Sequence, residues 1–320
     1  MKNLIIGLAL LILAGLGIYF FTMQDSKKID LDSDTDQNGT EEDLGDVVGD
    51  ELDDDNVTEE EGPTSVIGTS VDGQEILAYH FGTGEKEILF VGGIHGGYAW
   101  NTVALNYELI KFLDDQSEII PENVRVTVIP LLNPDGLLDT LSRTTSSTSL
   151  SRLQMSAASE AEWKNIAKDI LVKGRFNANK VDLNRNFDCE WQSVGTWQNT
   201  EVSGGTAPFS EPESIALKNY VESHNISAAV VYYSSAGGVF TSSCNGDVLA
   251  ETSALTKLYA KESGYKEYQE FDFYEITGDM VNWLAKKEIP AISVLLSQHN
   301  QVEWSRNLDA IKSVLEYYAE

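Results

Sequence analysis

The sequence predicts an α/β fold, a three-layer α/β/α sandwich around a mostly parallel mixed sheet. Three observations support this fold class. Short apolar runs alternate along the chain with stretches of helical period. Several of these runs contain no alternating polar residues, as expected of strands that are buried on both faces. The chain has 320 residues, 42% of them hydrophobic, which is enough for one large α/β core.

The chain divides into three zones. Residues 4–21 are uncharged and mostly apolar, a length that predicts a membrane-spanning helix within an N-terminal anchor, residues 1–23. The bulky end of this run favours an uncleaved anchor, and a cleavable signal peptide is the alternative. Residues 24–62 contain seventeen Asp or Glu and two Lys, so they are predicted to form an acidic disordered tether. Residues 63–320 are predicted to form the globular domain.

Charge and cysteine content limit the partners and the compartment. The formal net charge is −29, and because a polyanionic chain repels phosphate groups, nucleic acid is excluded as a partner. The predicted anchor places the protein in a membrane, and we expect the globular domain to be extracellular. The flanking charges do not set the orientation, because Lys2 and the amino terminus on one side are matched by Lys27 and Lys28 on the other. Cys189 and Cys244 would form a disulfide in an exported domain and remain free thiols in the cytosol.

The first half of the globular domain contains two predicted strands. Residues 88–91 are an apolar run that ends at a Gly-Gly pair, and residues 100–113 have helical spacing. Residues 124–131 are rich in β-branched side chains and are closed by an Asn-Pro-Asp-Gly turn. Residues 140–159 are rich in Ser and Thr, which predicts a long loop.

The second half is predicted to contain more helix. A helix is expected near residues 157–171, and another from Ser210 as N-cap, with Glu213 completing a capping box. Two further apolar runs predict buried strands, and three periodic segments predict helices. The strands are 228–233 and 291–296, and the helices are 248–263, 279–287 and 303–318.

Three short segments in fixed order carry a family resemblance. They are Gly92-Gly93-Ile94-His95, Asn133-Pro134-Asp135-Gly136 and Leu183-Asn184-Arg185-Asn186. In this combination residues 64–320 resemble the zinc carboxypeptidases of peptidase family M14. The resemblance implies the carboxypeptidase fold, a peptide substrate, a zinc ion with three protein ligands and a glutamate as general base.

The residues that would hold zinc and move protons are mostly replaced. His95 matches the first zinc ligand, but the acid expected three or four residues later is absent, and Ala99 marks the vacated position. Ser234 stands where the resemblance implies the second histidine, and Leu295 where it implies the base. We therefore expect His95 to be a remnant ligand and expect no cofactor, with zinc required only if an active enzyme uses other ligands.

The residues that would bind substrate are retained. The resemblance implies that Asn184 and Arg185 grip the terminal carboxylate of a peptide, and that Arg175 polarises the scissile carbonyl. Asp182 matches a carboxylate that orients the first zinc-binding histidine, His95.

The sequence thus predicts a pseudo-carboxypeptidase that binds the C-termini of peptides or proteins at the cell surface. One alternative is an active metallocarboxypeptidase with non-standard zinc ligands. The other is a non-enzymatic scaffold or adhesion module that uses only its outer surface.

Overall fold

The computed structural model describes residues 63–144, 160–246 and 248–320. The predicted anchor, residues 1–23, and the predicted tether, residues 24–62, lie outside the described residues. Across the part of the chain that the structure describes, no helix combines the length and apolar character needed to cross a bilayer.

Ten strands lie within the described residues. They are β1 Thr64–Thr69, β2 Glu75–Phe81, β3 Lys86–Val91, β4 Val124–Ile129, β5 Val194–Trp197, β6 Thr200–Ser203, β7 Ile226–Ser234, β8 Gly238–Thr241, β9 Lys266–Tyr268 and β10 Ala291–Leu296. Eight of them form one sheet in the order β1-β2-β4-β3-β7-β10-β8-β9, and β5 and β6 form a separate hairpin. The pairs β3·β4, β3·β7, β7·β10 and β8·β9 are parallel, whereas β1·β2, β2·β4 and β8·β10 are antiparallel. The predicted mixed, mostly parallel sheet is confirmed.

Eight α-helices connect or flank the strands in the described residues. They are α1 Trp100–Asp115, α2 Pro134–Thr144, α3 Glu160–Trp163, α4 Lys168–Lys173, α5 Pro212–Ser223, α6 Ala250–Ser263, α7 Met280–Lys286 and α8 Trp304–Ala319. Short 3-10 turns lie at Gly96–Ala99, Ser117–Ile119 and Leu183–Arg185. The helices predicted near 100–113, 210–224, 248–263, 279–287 and 303–318 are confirmed within a few residues.

Three local predictions are wrong. Residues 140–144, predicted as the start of a loop over 140–159, belong to α2, which begins at Pro134 because Asn133 Oδ1 accepts the Gly136 N–H at 2.9 Å and caps the helix. In place of one helix near residues 157–171, the described residues form two short helices, α3 and α4.

The capping box at α5 is absent. The helix has Glu211 and not Ser210 at its N-cap, and the completely buried Glu213 accepts the Val71 N–H at 3.2 Å and the Asn177 amide at 3.2 Å.

Each face of the sheet has its own hydrophobic core. Ile88 and Phe90 of β3 pack into a core that includes side chains of α1, α6 and α8. Leu89 and Val91 of the same strand pack into the opposite core, with side chains of α5 and α7. Alternate residues of a strand point to opposite faces, so an uninterrupted apolar run fills both layers. This arrangement is the predicted three-layer sandwich.

The same topology gathers the motif residues at one edge of the sheet. Strands β3, β7 and β10 are adjacent and parallel, so their carboxyl ends meet. His95 follows β3, Ser234 ends β7, and Leu295 lies at the end of β10. Clefts outside the carboxyl ends of parallel strands are the usual ligand sites of such sheets.

Candidate functional site

The glycines after β3 let the first loop of the site pack tightly. A Cβ on Gly97 would lie 1.9 Å from Thr140 Oγ1 of α2, so only glycine fits there. Gly93 has a φ of +64°, in the left-handed region that favours glycine. The loop therefore holds His95 against its neighbours, and His95 is only 4% exposed.

Asp182 is the centre of a buried polar cluster. Its Oδ2 accepts hydrogen bonds from Arg175 Nε at 3.0 Å and Nη2 at 2.7 Å, and its Oδ1 lies 3.2 Å from His95 Nε2. Burial disfavours the ionised carboxyl, but the Arg175 charge and the His95 hydrogen bond outweigh it and hold the pKa of Asp182 well below its usual range. The structure thus brings together three residues that the sequence singled out.

His95 presents one free nitrogen to the cleft. An ionised carboxylate can only accept, so the hydrogen bond to Asp182 places the proton of the neutral ring on Nε2. Burial, and then the charge of Arg175, lower the pKa of His95 to about 4, which keeps the ring neutral at pH 7. The Nδ1 lone pair is buried and has no hydrogen-bond partner.

Asn184 is held in place by three neighbours. Its Nδ2 donates to Asp279 Oδ2 at 2.7 Å, and its Oδ1 accepts from the Tyr233 hydroxyl at 3.1 Å and from the Met280 N–H at 3.2 Å. The pKa of Asp279 is raised, chiefly by burial. The Asn184 amide is therefore fixed, with one N–H remaining.

Arg185 is buried like Arg175 but has different hydrogen-bond partners. Its side chain is 1% exposed and donates to the Thr196 carbonyl at 2.8 and 3.3 Å and to the Asn184 carbonyl at 2.7 Å. A guanidinium has five N–H groups, so two remain. In the described part of the chain no carboxylate oxygen lies within 4.0 Å of the Arg185 guanidinium, whereas Arg175 is paired with Asp182.

Two adjoining cavities open at this edge of the sheet. The smaller, about 50 Å³, is lined by His95, both site arginines, Asn184 and Leu295, among others. The larger, about 370 Å³, is lined mainly by aromatic and neutral polar side chains. Trp197, Ser234, Phe271, Tyr274 and Leu295 line both cavities, so the two adjoin.

The vacated positions are filled by groups that cannot replace a ligand or a base. Ala99 is completely buried, and its neighbour Tyr98 lines the larger cavity instead. The Ser234 hydroxyl donates to Asn101 Oδ1 at 2.7 Å. Leu295 offers the cleft only a hydrocarbon side chain. Among the residues that the structure describes, no three His, Cys, Asp or Glu side chains are placed to hold a metal ion.

Sequence reasoning missed several residues of the site. Tyr233 holds Asn184, and the Tyr274 ring centroid lies 5.9 Å from Arg185 Cζ. Tyr98 and Trp197 both lie close to Arg175, whose Cζ is 5.5 and 4.5 Å from their ring centroids. Two signals were available in the sequence: Tyr233 stands next to Ser234 at the end of a buried strand, and Tyr98 and Trp197 are aromatic residues in motif loops, where packing is an equally common role.

The family assignment follows from a match along most of the domain. The family model described as zinc carboxypeptidase, peptidase family M14, matches residues 62–303. The chain belongs to the zinc carboxypeptidase family.

Individual relatives support the same family and fold. The chain is 22% identical over 227 residues to gamma-D-glutamyl-L-diamino acid endopeptidase 1 of Lysinibacillus sphaericus, covering 65% of this chain and 54% of the relative. It is 30% identical over 125 residues to carboxypeptidase O of Bos taurus, covering 36% of this chain and 27% of the relative. The chain thus spans about half or less of the length of these relatives.

Solved structures show the same fold. Carboxypeptidase A from Helicoverpa armigera superposes with a TM-score of 0.59 at 17% identity, covering 80% of this chain and 68% of that one. Murein-tripeptide amidase MpaA from Escherichia coli O157 superposes with a TM-score of 0.52 at 19% identity, covering 79% of this chain and 91% of that one.

The expectation of no cofactor is wrong for this family. Membership in the zinc carboxypeptidases makes zinc the cofactor that the family implies. In this chain the free Nδ1 of His95 suits one zinc ligand, but Ala99 and Ser234 supply neither of the other two. The donor set therefore does not fit a three-ligand site.

Proposed function

We propose that this zinc carboxypeptidase-family protein binds the C-terminal carboxylate of peptides in its cleft and is impaired in hydrolysis. The carboxylate would be held by Arg185, assisted by Asn184. The observation that carries the proposal is the buried guanidinium of Arg185, which keeps two N–H groups and has no contacting carboxylate among the described residues.

The charge of Arg185 makes an anion the fitting ligand. Burial acts to raise the pKa of the nearby Asp279 and Asp182 and the Arg185 charge helps to lower it, but the guanidinium donates no hydrogen bond to a carboxylate among the described residues. A ligand carboxylate that accepts two parallel hydrogen bonds from the guanidinium would suit it well. The smaller cavity, about 50 Å³, has room for little more than such a head group. Arg175 suits this role less because Asp182 already neutralises it at 2.7 Å.

The neighbours of Arg185 permit a second carboxylate. Asp279 lines the same cavity, and burial raises its pKa, which makes its carboxyl easier to protonate beside an incoming anion than that of an exposed aspartate would be. Asn184 is aligned by Tyr233 and Asp279 and can offer its remaining N–H. Both groups are fixed before the ligand arrives, which reduces the entropic cost of binding.

Hydrolysis is proposed to be impaired because the cleft lacks a proton acceptor at the position of the base. Leu295 occupies that position and lines both cavities. General base catalysis contributes roughly 10²- to 10⁴-fold to a rate. His95, with a pKa of about 4, is a weak acceptor at neutral pH.

Calorimetric titration of the full chain tests the clamp. Acetylated tripeptides with a free C-terminal acid should bind roughly tenfold or more tightly than their C-terminal amides. Arg185→Lys should reduce this preference, because an ammonium cannot donate two parallel bonds. Arg143→Lys is the matched control, since Arg143 is exposed and pairs with Asp139 on α2. Equal affinity of acids and amides in the folded wild-type protein would refute the clamp.

We also propose that the domain is presented outside the cell by an N-terminal membrane anchor. The apolar run at residues 4–21 supports an anchor. The disulfide between Cys189 and Cys244 supports an oxidising compartment. Protease treatment of intact cells should then release the domain, and resistance that disappears on lysis would argue for an internal location.

An active metallocarboxypeptidase remains the second candidate because of one observation. The buried, unpartnered Nδ1 of His95 is suited to bind a metal ion. Stoichiometric zinc in the purified full chain, together with chelator-sensitive release of a C-terminal residue, would favour this candidate. Absence of such release in a zinc-loaded sample would favour the impaired enzyme.

A further inference from the structure

The charges that line the smaller cavity balance in pairs before any ligand binds. Among the described residues that line it, the acidic and basic side chains other than His95 are Arg175, Arg185 and Asp279. Asp182 already neutralises Arg175 at 2.7 Å. Arg185 and Asp279 therefore remain as one basic and one acidic group around a space of about 50 Å³. Both are almost completely buried, so water screens their charges poorly.

We infer that Asp279 takes up one proton when a peptide C-terminal carboxylate binds beside Arg185, so that binding tightens as the pH falls. This inference rests on the proposed function and adds the regulation of the same site by pH. The juxtaposition that carries it is a buried aspartate and a buried arginine that line one small cavity, into which the ligand brings a second carboxylate.

Charge balance in the cavity favours this proton uptake. With Asp279 ionised, a bound carboxylate leaves one excess negative charge around Arg185. Two carboxylates that share a site disfavour each other's ionised form, so the pair holds a proton at a higher pH than either group alone. The proton comes from the solvent or the buffer and joins an oxygen of Asp279. The new O–H can donate to the ligand carboxylate, and no covalent bond of the peptide forms or breaks.

The contacts of Asp279 leave room for the proton. A carboxylate has about four lone-pair sites. Asp279 Oδ2 accepts from Asn184 Nδ2 at 2.7 Å, and its Oδ1 accepts from the Asn282 N–H at 3.1 Å. The Val281 N–H is a further backbone donor to the carboxyl. About one acceptor site therefore remains, and its protonation breaks none of these hydrogen bonds.

The other groups that face Asp279 do not titrate between pH 6 and 8. Arg185 faces it from the turn at Leu183–Arg185 and stays charged. Burial, and then the charge of Asp279, raise the pKa of Tyr233 on β7 well above its usual range. His95, with a pKa of about 4, stays neutral, and Tyr274 contributes a phenol to the same lining. The lining residues of β10 are a serine and a leucine.

Burial brings Asp279 closer to this pH range than an exposed aspartate. Burial raises its pKa, while the Asn282 N–H and the charge of Arg185 act in the opposite direction. The Arg175–Asp182 pair has no such freedom, because the pKa of Asp182 is held well below its usual range. Asp279 is therefore the carboxyl of this cluster that a second anion can protonate.

The test is calorimetric titration of the full chain with acetyl-trialanine, as free acid and as amide, at pH 6, 7 and 8. At each pH the titration is repeated in two buffers with different heats of ionisation, because the difference in observed heat counts the protons taken up. The free acid should take up close to one proton, and its affinity should rise about three- to tenfold for each pH unit of acidification. The amide should take up none.

Asp279→Asn cannot ionise, so it should abolish the uptake and keep the affinity for the free acid within about twofold from pH 6 to 8. Asp139→Asn is the matched control, because it removes a carboxylate that pairs with Arg143 on α2, and it should keep the wild-type uptake. The proton count on the wild-type protein needs no variant, so it decides the matter even if Asp279→Asn does not fold.

Three outcomes separate this inference from the carboxylate clamp. Preference of the wild-type protein for the acid without proton uptake overturns the inference and keeps the clamp. Uptake that persists in folded Asp279→Asn does the same, because another group then takes the proton. Equal affinity for acid and amide overturns the clamp and, with it, the inference.

Discussion

Arg175 donates two hydrogen bonds, 2.7 and 3.0 Å long, to a single carboxylate oxygen of Asp182. Both side chains are almost completely inaccessible to water, and the second oxygen of Asp182 faces His95 at 3.2 Å. One carboxylate therefore neutralises an arginine and orients a histidine. This cluster joins the loop after β3 to the turn at Leu183–Arg185. It therefore fixes the positions of these two segments in addition to balancing the buried charges.

Asp182→Asn should be strongly destabilising. Removing one partner of a buried ion pair leaves an uncompensated charge and typically costs about 3 to 5 kcal/mol. Urea unfolding of the variant should show this loss in the free energy of unfolding. Asp139→Asn removes an exposed pair with Arg143, and it should cost about 1 kcal/mol or less. A loss below 1 kcal/mol for Asp182→Asn would contradict this account.

Stability should depend on pH through His95. Its pKa is lowered to about 4 from 6.5, so between these values the unfolded chain binds the proton more readily than the folded protein. The buried neutral ring therefore makes its full contribution to the free energy of unfolding above about pH 6.5, and this contribution is lost as the pH falls toward 4. At about 1.4 kcal/mol per pH unit, the difference approaches about 3 kcal/mol. Unfolding in metal-free buffer at several pH values should show a steeper loss for wild type than for His95→Asn, and equal slopes would refute it.

The sequence could predict the fold because buried strands and helices leave simple patterns. The uninterrupted run at the end of β3 packs into both cores, as such runs do in sheets covered on two faces. The last five residues of α2, 140–144, fall in the segment whose Ser and Thr content predicts a loop, because these residues have weak helix propensity. The cap at Asn133 and contacts of the helix with the glycine loop outweigh that propensity.

The site could be predicted only in part. The motif order located His95, Asp182, Asn184 and Arg185, and the topology brings them together as the resemblance implied. The sequence did not reveal which of two adjacent residues faces the cleft, and the structure has Tyr98 there while Ala99 is buried. Residues such as Tyr274 come from a loop whose path depends on tertiary packing, for which local sequence carries no period.

The disulfide should contribute substantially to stability. Cys189 and Cys244 are bonded with their Cα atoms 6.0 Å apart and are separated by 55 residues along the chain. A loop of this length corresponds to about 4 kcal/mol in the chain-entropy account of cross-links. Cys189→Ser together with Cys244→Ser should lower the free energy of unfolding by about 2 to 5 kcal/mol in urea. An unchanged unfolding midpoint, with the wild type verified as oxidised, would contradict this.

Tyr232 and Tyr233 provide a matched pair for the role of Asn184 in binding. They are neighbours on β7 and face opposite cores. The Tyr233 hydroxyl donates to Asn184 Oδ1 at 3.1 Å, whereas the Tyr232 hydroxyl bonds that of Tyr259 at 3.0 Å, away from the cleft. Each Tyr→Phe change removes one buried hydrogen bond and should cost about 1 kcal/mol of stability.

Binding should separate the two variants. Tyr233→Phe leaves the Asn184 amide less firmly aligned, so we expect the affinity for a free-acid peptide to fall about three- to tenfold. Tyr232→Phe should leave that affinity within about twofold of the wild-type value. Tyr232 bonds Tyr259 of α6 in the core on the other side of the sheet. Calorimetric titration at a temperature where both variants are fully folded checks this. Equal losses of affinity would mean that Tyr233 acts through general stability and does not position Asn184.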